Sequence, residues 1–163
     1  MATLSRERII GISDLAVSDS ADDVFITYSL GSCVGLTLYD PDLKVGGMLH
    51  AMMPVSTMDP ARADRHPGMF TDTGVAALLQ GLFDLGASRK RLIAKVAGAA
   101  AQMDQNGMFR IGERNQMVLR RVLWKNDILL AAEDVGGSVS RTLLLEMATG
   151  RTLVKCNGSL REL

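Results

Sequence analysis

The sequence has no excess of either charge and no long apolar run. Eighteen basic residues balance eighteen acidic ones among 163 residues. Because phosphate backbones are bound by a basic excess or a basic stripe, we do not expect nucleic acid as a partner. No segment approaches the roughly 20 apolar residues of a membrane span. Charges at Arg6, Glu7 and Arg8 leave no apolar run for a signal peptide, so we expect a cytoplasmic protein without membrane insertion.

Cysteine and histidine are also scarce, with two of each. Cys33 and Cys156 lie far apart and form no C-x-x-C motif, whereas a structural zinc site needs four closely organised ligands. We therefore predict no metal and no cofactor. A disulfide is not expected in a reducing cytosol. We interpret Cys156 as a small buried hydrophobic residue.

Length and composition predict one globular domain spanning residues 1–163. Hydrophobic residues make up 47% and charged residues 22%, which is enough for a core without disulfides or metal. β-branched and aromatic runs with turn residues between them indicate strands. The predicted strands are 24–30, 34–39, 44–53, 92–97, 127–134, 141–147 and 151–155, with weaker signals at 7–12 and 15–18. We expect an α+β fold with two helices packed on a largely antiparallel β structure of one or two layers.

Two helices are predicted from periodic apolar residues. The first begins with Thr71 or Asp72 as its N-cap and ends before Gly86. The second opens at residues 111–115, and its predicted inward residues are Met117, Val118, Val122 and Leu123. Residues 55–70 are predicted to form a long polar loop, of the kind that often binds a partner. A turn at Thr149 and Gly150 should join the last two strands.

One cysteine and one histidine have the arrangement of a catalytic pair. Cys33 lies at a junction between two predicted strands, next to glycine-containing turn residues, and His50 lies on the following strand. Neighbouring strands are about 5 Å apart, so the two side chains can meet across the sheet. An imidazole can take the thiol proton and so generate the thiolate nucleophile. Thr27 has a hydroxyl that can orient the ring; the alternative is a buried thiol beside a core histidine.

Several segments together resemble the CheD family of chemoreceptor glutamine deamidases. The principal blocks are Thr-Tyr-Ser-Leu-Gly-Ser-Cys-Val-Gly-Leu at 27–36 and Gly-Gly-Met-Leu-His-Ala-Met-Met-Pro at 46–54. Further similar blocks follow in order at 38–41, 86–87, 94–96, 111–115 and 134–137. The resemblance runs from about residue 24 to residue 155. It departs from the family pattern at 97–100 and 140–142, and these departures leave the three site residues intact.

The resemblance implies a fold, a set of site residues and a reaction. The fold is a β-sandwich-like, mixed or antiparallel core flanked by helices, similar to toxin-type glutamine deamidases. Carried over by position, the nucleophile is Cys33, the histidine is His50 and the orienting threonine is Thr27. The implied reaction converts glutamines of methyl-accepting chemotaxis receptors to glutamate through a thioester, with hydrolysis of glutamyl methyl esters by the same route. Backbone N–H groups of the turn from Ser32 to Val34 are expected to hold the oxyanion.

Two other functions stay open at this point. The first is a regulatory binding module for a CheC-type phosphatase, which is also a possible partner of an active deamidase. The second is a cysteine hydrolase of the same fold that acts on another protein. For the deamidase we expect a shallow, open site, with the loops at 55–70 and 99–110 positioned to grip a helical receptor.

Overall fold

The computed structural model describes residues 4–101 and 109–163. Within these residues the chain forms ten strands and three α-helices. In chain order the strands are β1 (Arg6–Ile9), β2 (Leu15–Ser18), β3 (Asp23–Leu30), β4 (Val34–Asp40), β5 (Val45–Ala51), β6 (Ile93–Gly98), β7 (Leu130–Val135), β8 (Arg141–Glu146), β9 (Thr152–Cys156) and β10 (Ser159–Glu162). The α-helices are α1 (Pro60–Arg65), α2 (Thr71–Asp84) and α3 (Ile111–Lys125). Short 3₁₀ turns occupy Ser56–Met58, Pro67–Met69 and Arg89–Arg91.

The strands form two five-stranded sheets. The first sheet has the order β1-β3-β8-β9-β10, and the second has the order β2-β5-β4-β6-β7. Most neighbours are antiparallel, but β1 pairs with β3 in parallel and β6 pairs with β7 in parallel. The predicted α+β class, with a mixed sandwich-like core flanked by helices, is confirmed.

The second sheet is the middle layer, and both of its faces are covered. Every residue of β4 and of β5 is buried. On one face, Leu36 and Leu38 pack in a core with the apolar residues of α2 and α3. On the other face, Met48 and Tyr39 pack against residues of the first sheet such as Phe25 and Leu143. Alternation along each strand therefore sends successive side chains to different cores.

The junction between β3 and β4 carries the chain from the first sheet to the second. Only three residues separate the end of β3 at Leu30 from the start of β4 at Val34. A β-bulge between Thr27 and Leu30 precedes the junction, and Ser29 there has a left-handed φ of 59°. Bulges of this kind bend a strand and re-aim its side chains. The junction is therefore a tight, shaped segment between two sheets.

Three secondary-structure predictions are wrong in detail. Residues 55–70 are not a loop, because α1 and two 3₁₀ turns occupy most of them. Neither Thr71 nor Asp72 caps α2; its N-cap is Phe70, without a side-chain hydrogen bond. The Asp72 carboxylate instead accepts hydrogen bonds from the Ser56 amide and hydroxyl. The terminal strand β10 was also not predicted, since its side chains are exposed and show no hydrophobic signal.

The buried face of α3 agrees with the predicted one at Leu123, with Val122 packed against the same core, and differs at Met117. Its buried residues are Gly112, Asn115, Leu119 and Leu123, whereas Met117 is 55% exposed. Two of the four buried positions hold a glycine and an asparagine. A prediction from hydrophobicity alone therefore rotates the helix about its axis and places Met117 in the core.

Candidate active site

His50 lies near the end of β5, on the face that looks towards the first sheet. The register of β4 and β5 pairs His50 with Gly35. A Cβ built on Gly35 would meet Leu30 and Leu143 of the first sheet, which defines the direction of this face. His50 itself is fully buried. The imidazole is thus enclosed between the two sheets.

Thr27 of β3 reaches His50 from the opposite sheet. The Thr27 hydroxyl oxygen lies 2.6 Å from Nδ1 of His50, and the hydroxyl donates to the carbonyl of Ile10 at 2.7 Å. A hydroxyl has one proton, so its oxygen must accept from the ring. Nδ1 of His50 therefore carries the proton, and Nε2 presents a lone pair.

The second ring nitrogen of His50 is poised to take up a proton. Nε2 is the one buried side-chain nitrogen or oxygen without a hydrogen-bond partner in the part of the chain that the structure describes. Burial lowers the pKa of His50 to about 4, because the charged imidazolium loses its hydration. The resting imidazole is therefore neutral and can act as a base.

Cys33 is the last residue before β4 and is partly buried. Because it precedes Gly35 by two residues, its side chain faces the same side of the second sheet as His50. The Cys33 carbonyl accepts a hydrogen bond from the Ala99 amide at 2.8 Å, and the Ala100 amide binds the Gly31 carbonyl at 2.8 Å. These bonds hold the junction against the end of β6.

The Cys33 thiol is protonated at rest. Burial raises the pKa of Cys33, and the residue's own backbone amide opposes this shift in part. In the described residues, no hydrogen bond joins the sulfur to Nε2 of His50. The resting site therefore holds a neutral thiol and a neutral imidazole on one face, and catalytic contacts of this kind often tighten only when substrate binds.

Backbone donors near the sulfur belong to the same junction. The Cys33 backbone amide lowers the pKa of its own thiol in part, as expected of an N–H close to the sulfur. Within the described chain, the Ser32 and Cys33 amides donate to no backbone carbonyl. Val34, the third predicted residue, is already in the ladder between Ala51 and Gly98. The first two amides are therefore better placed to bind an oxyanion than that of Val34.

Asn115 also lies at the site, although it was not predicted as a site residue. Its side-chain amide donates to the carbonyls of Ser32, at 2.9 Å, and Met52, at 3.1 Å. The block at residues 111–115 was predicted as the start of a helix and as one of the segments that resemble the family, without a role for Asn115. A polar residue on the buried face of a helix is the signal that could have identified it, because a buried amide needs partners.

Other features bear on binding and location. Among the described residues, no group of three His, Cys, Asp or Glu side chains is placed to hold a metal ion. No helix within 4–101 and 109–163 is long and apolar enough to cross a membrane. The predicted gripping segment at 99–110 falls largely on residues 102–108, which lie outside the described residues.

The structure is an α+β protein in which a thiol and an imidazole face the same side of the second sheet, which are the two groups that a cysteine hydrolase needs. A family model described as CheD chemotactic sensory transduction matches residues 52–156. A Solibacter usitatus protein named "Probable chemoreceptor glutamine deamidase CheD" is 50% identical over 155 residues, covering 95% of this chain and 92% of that protein. The chain belongs to the CheD family.

The family relatives include archaeal proteins, and the site region lies within the match to the first relatives. A Pyrococcus abyssi protein of the same name is 44% identical over 155 residues, covering 93% of each chain. A Syntrophus aciditrophicus protein named "Probable chemoreceptor glutamine deamidase CheD 1" is 47% identical over 156 residues, or 95% of this chain and 98% of that one. Among solved structures, Bacillus licheniformis YfiH superposes with a TM-score of 0.47 at 15% identity, covering 77% of this chain and 50% of that one.

Proposed function

We propose that this protein is a protein-glutamine deamidase that converts glutamine side chains of methyl-accepting chemotaxis receptors to glutamate. The relatives that match almost the whole chain are named for this activity. The structural observation that supports it is the proton arrangement at His50, where Nδ1 donates to Thr27 and Nε2 has no hydrogen-bond partner among the described residues. Such a ring can accept a proton from a thiol and return it to a leaving group.

The reaction begins with attack by Cys33 on the carboxamide carbon of the glutamine. The sulfur–carbon bond forms as the thiol proton passes to Nε2 of His50. The carbonyl oxygen becomes an oxyanion, which the Ser32 and Cys33 amides hold, with the Val34 amide as the third predicted donor. Loss of one such donor typically costs about 3–4 kcal/mol of transition-state stabilisation.

The intermediate then collapses to a thioester. The carbon–nitrogen bond breaks, and the imidazolium of His50 gives its proton to the departing ammonia. Water next attacks the thioester, His50 takes a proton from that water, and the sulfur leaves as it regains the proton. The product is a glutamate side chain, and a glutamyl methyl ester would react by the same steps with methanol as the leaving group.

Thr27 contributes orientation rather than a reacting group. Its hydroxyl proton is held by the Ile10 carbonyl, so its oxygen can only accept from the ring. This fixes the tautomer in which Nε2 is the basic nitrogen. The role also suits the burial of Thr27, which is fully enclosed and cannot touch a protein substrate.

A helical receptor can approach this site from outside the sandwich. Cys33 is only partly buried, and Met52, two residues beyond His50, is 38% exposed. Met52 immediately follows the last residue of β5, so this exposed apolar side chain lies at the strand end that carries His50. An exposed apolar side chain next to a nucleophile suits contact with the side of a helical bundle.

Ammonia release from a receptor cytoplasmic fragment tests the proposal directly. Wild type should release ammonia and add about one dalton per modified glutamine, whereas Cys33→Ala and His50→Ala should be inactive. Retained activity in Cys33→Ala would refute the assignment of the nucleophile.

We also propose a single domain over residues 1–163 and a cytoplasmic location, where the enzyme would meet the cytoplasmic part of a receptor.

The regulatory alternative is not favoured, because the matched relatives are named as deamidases. A CheC-type phosphatase as an additional partner stays a prediction. Cys33→Ala is the variant with which to test it, because binding and phosphatase stimulation should survive the loss of the nucleophile. Failure to bind would remove this partner and leave the deamidase proposal unaffected.

A further inference from the structure

Asn115 ties together the two chain segments that carry the proposed nucleophile and base. It lies in the second turn of α3 and is fully buried. Its amide nitrogen donates to the Ser32 carbonyl at 2.9 Å and to the Met52 carbonyl at 3.1 Å. Its amide oxygen lies 3.4 Å from the Thr71 hydroxyl, which in turn lies 3.0 Å from the Met53 carbonyl.

The positions of those two carbonyls are what matter for the reaction. Ser32 immediately precedes Cys33, and Met52 follows His50 by two residues. The ladder between β4 and β5 ends at the pair Val34 and Ala51. One step beyond that pair, the junction and the end of β5 are no longer joined by strand pairing. The Asn115 amide bridges them at this point, as a ladder bond would if the sheet continued.

The start of α3 is held against the same junction from a second side. A Cβ on Gly112 would lie 2.6 Å from the Ala100 carbonyl and 2.7 Å from the Ala99 carbonyl. The amides of these two alanines bind the Cys33 and Gly31 carbonyls. The absence of a side chain at Gly112 therefore lets the helix approach closely and brings Asn115 within reach of both carbonyls.

We propose that Asn115 is a positioning residue, which sets the spacing between the Cys33 junction and the end of the His50 strand. This inference rests on the proposed roles of Cys33 and His50. Asn115 does not itself touch a substrate, since its side chain is enclosed and both amide protons are used. Its effect on the reaction is geometric, and displacements of about 1 Å at a reacting pair can lower a rate by about 100-fold.

Asn115→Ala tests this role, with Tyr39→Phe as the matched control. Tyr39 also places a buried donor on a backbone carbonyl, that of Met147 at 2.9 Å. Tyr39 lies on β4, the strand that follows Cys33, but six residues further along, which is about 20 Å in an extended strand. Asn115→Ala loses two hydrogen bonds from a buried side chain to carbonyls and Tyr39→Phe loses one. Only Asn115→Ala loses the bridge between the Cys33 junction and the end of β5. All proteins carry Cys156→Ser, so that Cys33 is the sole thiol.

Three quantities are measured: kcat and KM for ammonia release, the rate of Cys33 alkylation by iodoacetamide from pH 6 to 10, and the melting temperature. We expect Asn115→Ala to lower kcat by about 10- to 100-fold with KM within threefold. We also expect it to speed alkylation several-fold near pH 8, because a junction released from the end of β5 exposes the buried thiol to solvent. Tyr39→Phe should change only the melting temperature.

The inference is overturned if Asn115→Ala and Tyr39→Phe agree within twofold in both kcat and alkylation. If Asn115→Ala does not melt cooperatively, Asn115→Ser is judged by the same criteria, since a hydroxyl fills part of the space but reaches only one carbonyl. If neither variant folds, the residue is structural and the inference fails. If wild type releases no ammonia, the proposed function fails, whereas the alkylation profiles still decide the role of Asn115.

Discussion

The Thr27 hydroxyl lies 2.6 Å from Nδ1 of His50, although the two residues belong to different sheets. The two residues are 23 positions apart in sequence, and their contact crosses the interior of the sandwich. A third group, the Ile10 carbonyl, accepts a hydrogen bond from the Thr27 hydroxyl at 2.7 Å. The hydroxyl oxygen must therefore accept the hydrogen bond from Nδ1 of His50. The packing of the two sheets thereby determines which nitrogen of His50 is basic.

Thr27→Val should reduce activity without abolishing it. Valine has the same shape but leaves Nδ1–H of the buried ring without an acceptor, which costs about 1–3 kcal/mol. If that energy is lost in the transition state, kcat falls by roughly 5- to 150-fold, a smaller loss than in Cys33→Ala or His50→Ala. Thr27→Ser keeps the hydroxyl and should recover most of the rate. Equal rates for the valine and serine variants would show that the hydroxyl does not orient the ring.

The free energy of unfolding should decrease as the pH is lowered, over a pH range set by the titration of His50. Burial lowers the folded-state pKa of His50 to about 4, while the unfolded chain titrates near 6.5. Between these values the unfolded state binds more protons, so stability decreases as the pH drops from about 6.5 towards 4. At about 1.4 kcal/mol per unit, the total loss is about 3 kcal/mol.

Urea unfolding of wild type and His50→Asn at several pH values measures this contribution. Asparagine keeps a nitrogen donor that can face Thr27, but it does not titrate. The difference in unfolding free energy between the two proteins should change by about 3 kcal/mol between pH 7 and pH 4. A difference that stays constant over this range would mean that the imidazole titrates alike in the folded and unfolded states.

The Cys33 thiol should be slow to react in the resting protein at neutral pH. Burial raises its pKa, and the neutral His50 supplies no positive charge to lower it. In a Cys156→Ser background, alkylation by iodoacetamide should therefore rise steeply only above about pH 8.5, the ordinary value for a free thiol. A plateau already reached by pH 7 would instead indicate a thiolate–imidazolium pair at rest.

Two of the predicted site residues, Cys33 and His50, were accessible from sequence because they lie at neighbouring strands of one sheet. Period-two alternation and short connections place Cys33 and His50 on one face of neighbouring strands, and the register agrees, with Gly35 opposite His50. Thr27 was predicted from its hydroxyl on the preceding strand and from the resemblance to the family. Nothing in its own strand pattern shows that β3 belongs to the other sheet, since only the assembled sandwich brings it over the ring.

Residues that act through tertiary contacts were harder to predict. Asn115 interrupts the apolar stripe of α3, and a hydrophobicity pattern treats such a residue as exposed. Its burial depends on the carbonyls of Ser32 and Met52, which lie 83 and 63 residues away in sequence. Met52 is partly exposed, because β5 ends at Ala51, one residue before it.

Gly98→Ala should disrupt the nucleophile junction more than a substitution in an equally unusual backbone conformation elsewhere. Gly98 has a φ of 109°, and a Cβ there would lie 2.3 Å from the Cys33 carbonyl oxygen. That carbonyl is held by the next amide, of Ala99, so it cannot move aside without displacing the junction. Gly158 is the control, since its φ is 75° but nothing lies within 4 Å of its added Cβ.

Both variants lose about 1–2 kcal/mol from the left-handed backbone alone. Gly98→Ala should lose at least about 2 kcal/mol more from the clash, in the range found for overpacked cores, and its kcat for ammonia release should drop well below that of Gly158→Ala. Urea unfolding and steady-state kinetics on the two variants measure these effects side by side. Similar stability and activity in both would mean that the Cys33 junction adjusts freely, and that close packing against β6 does not position the sulfur.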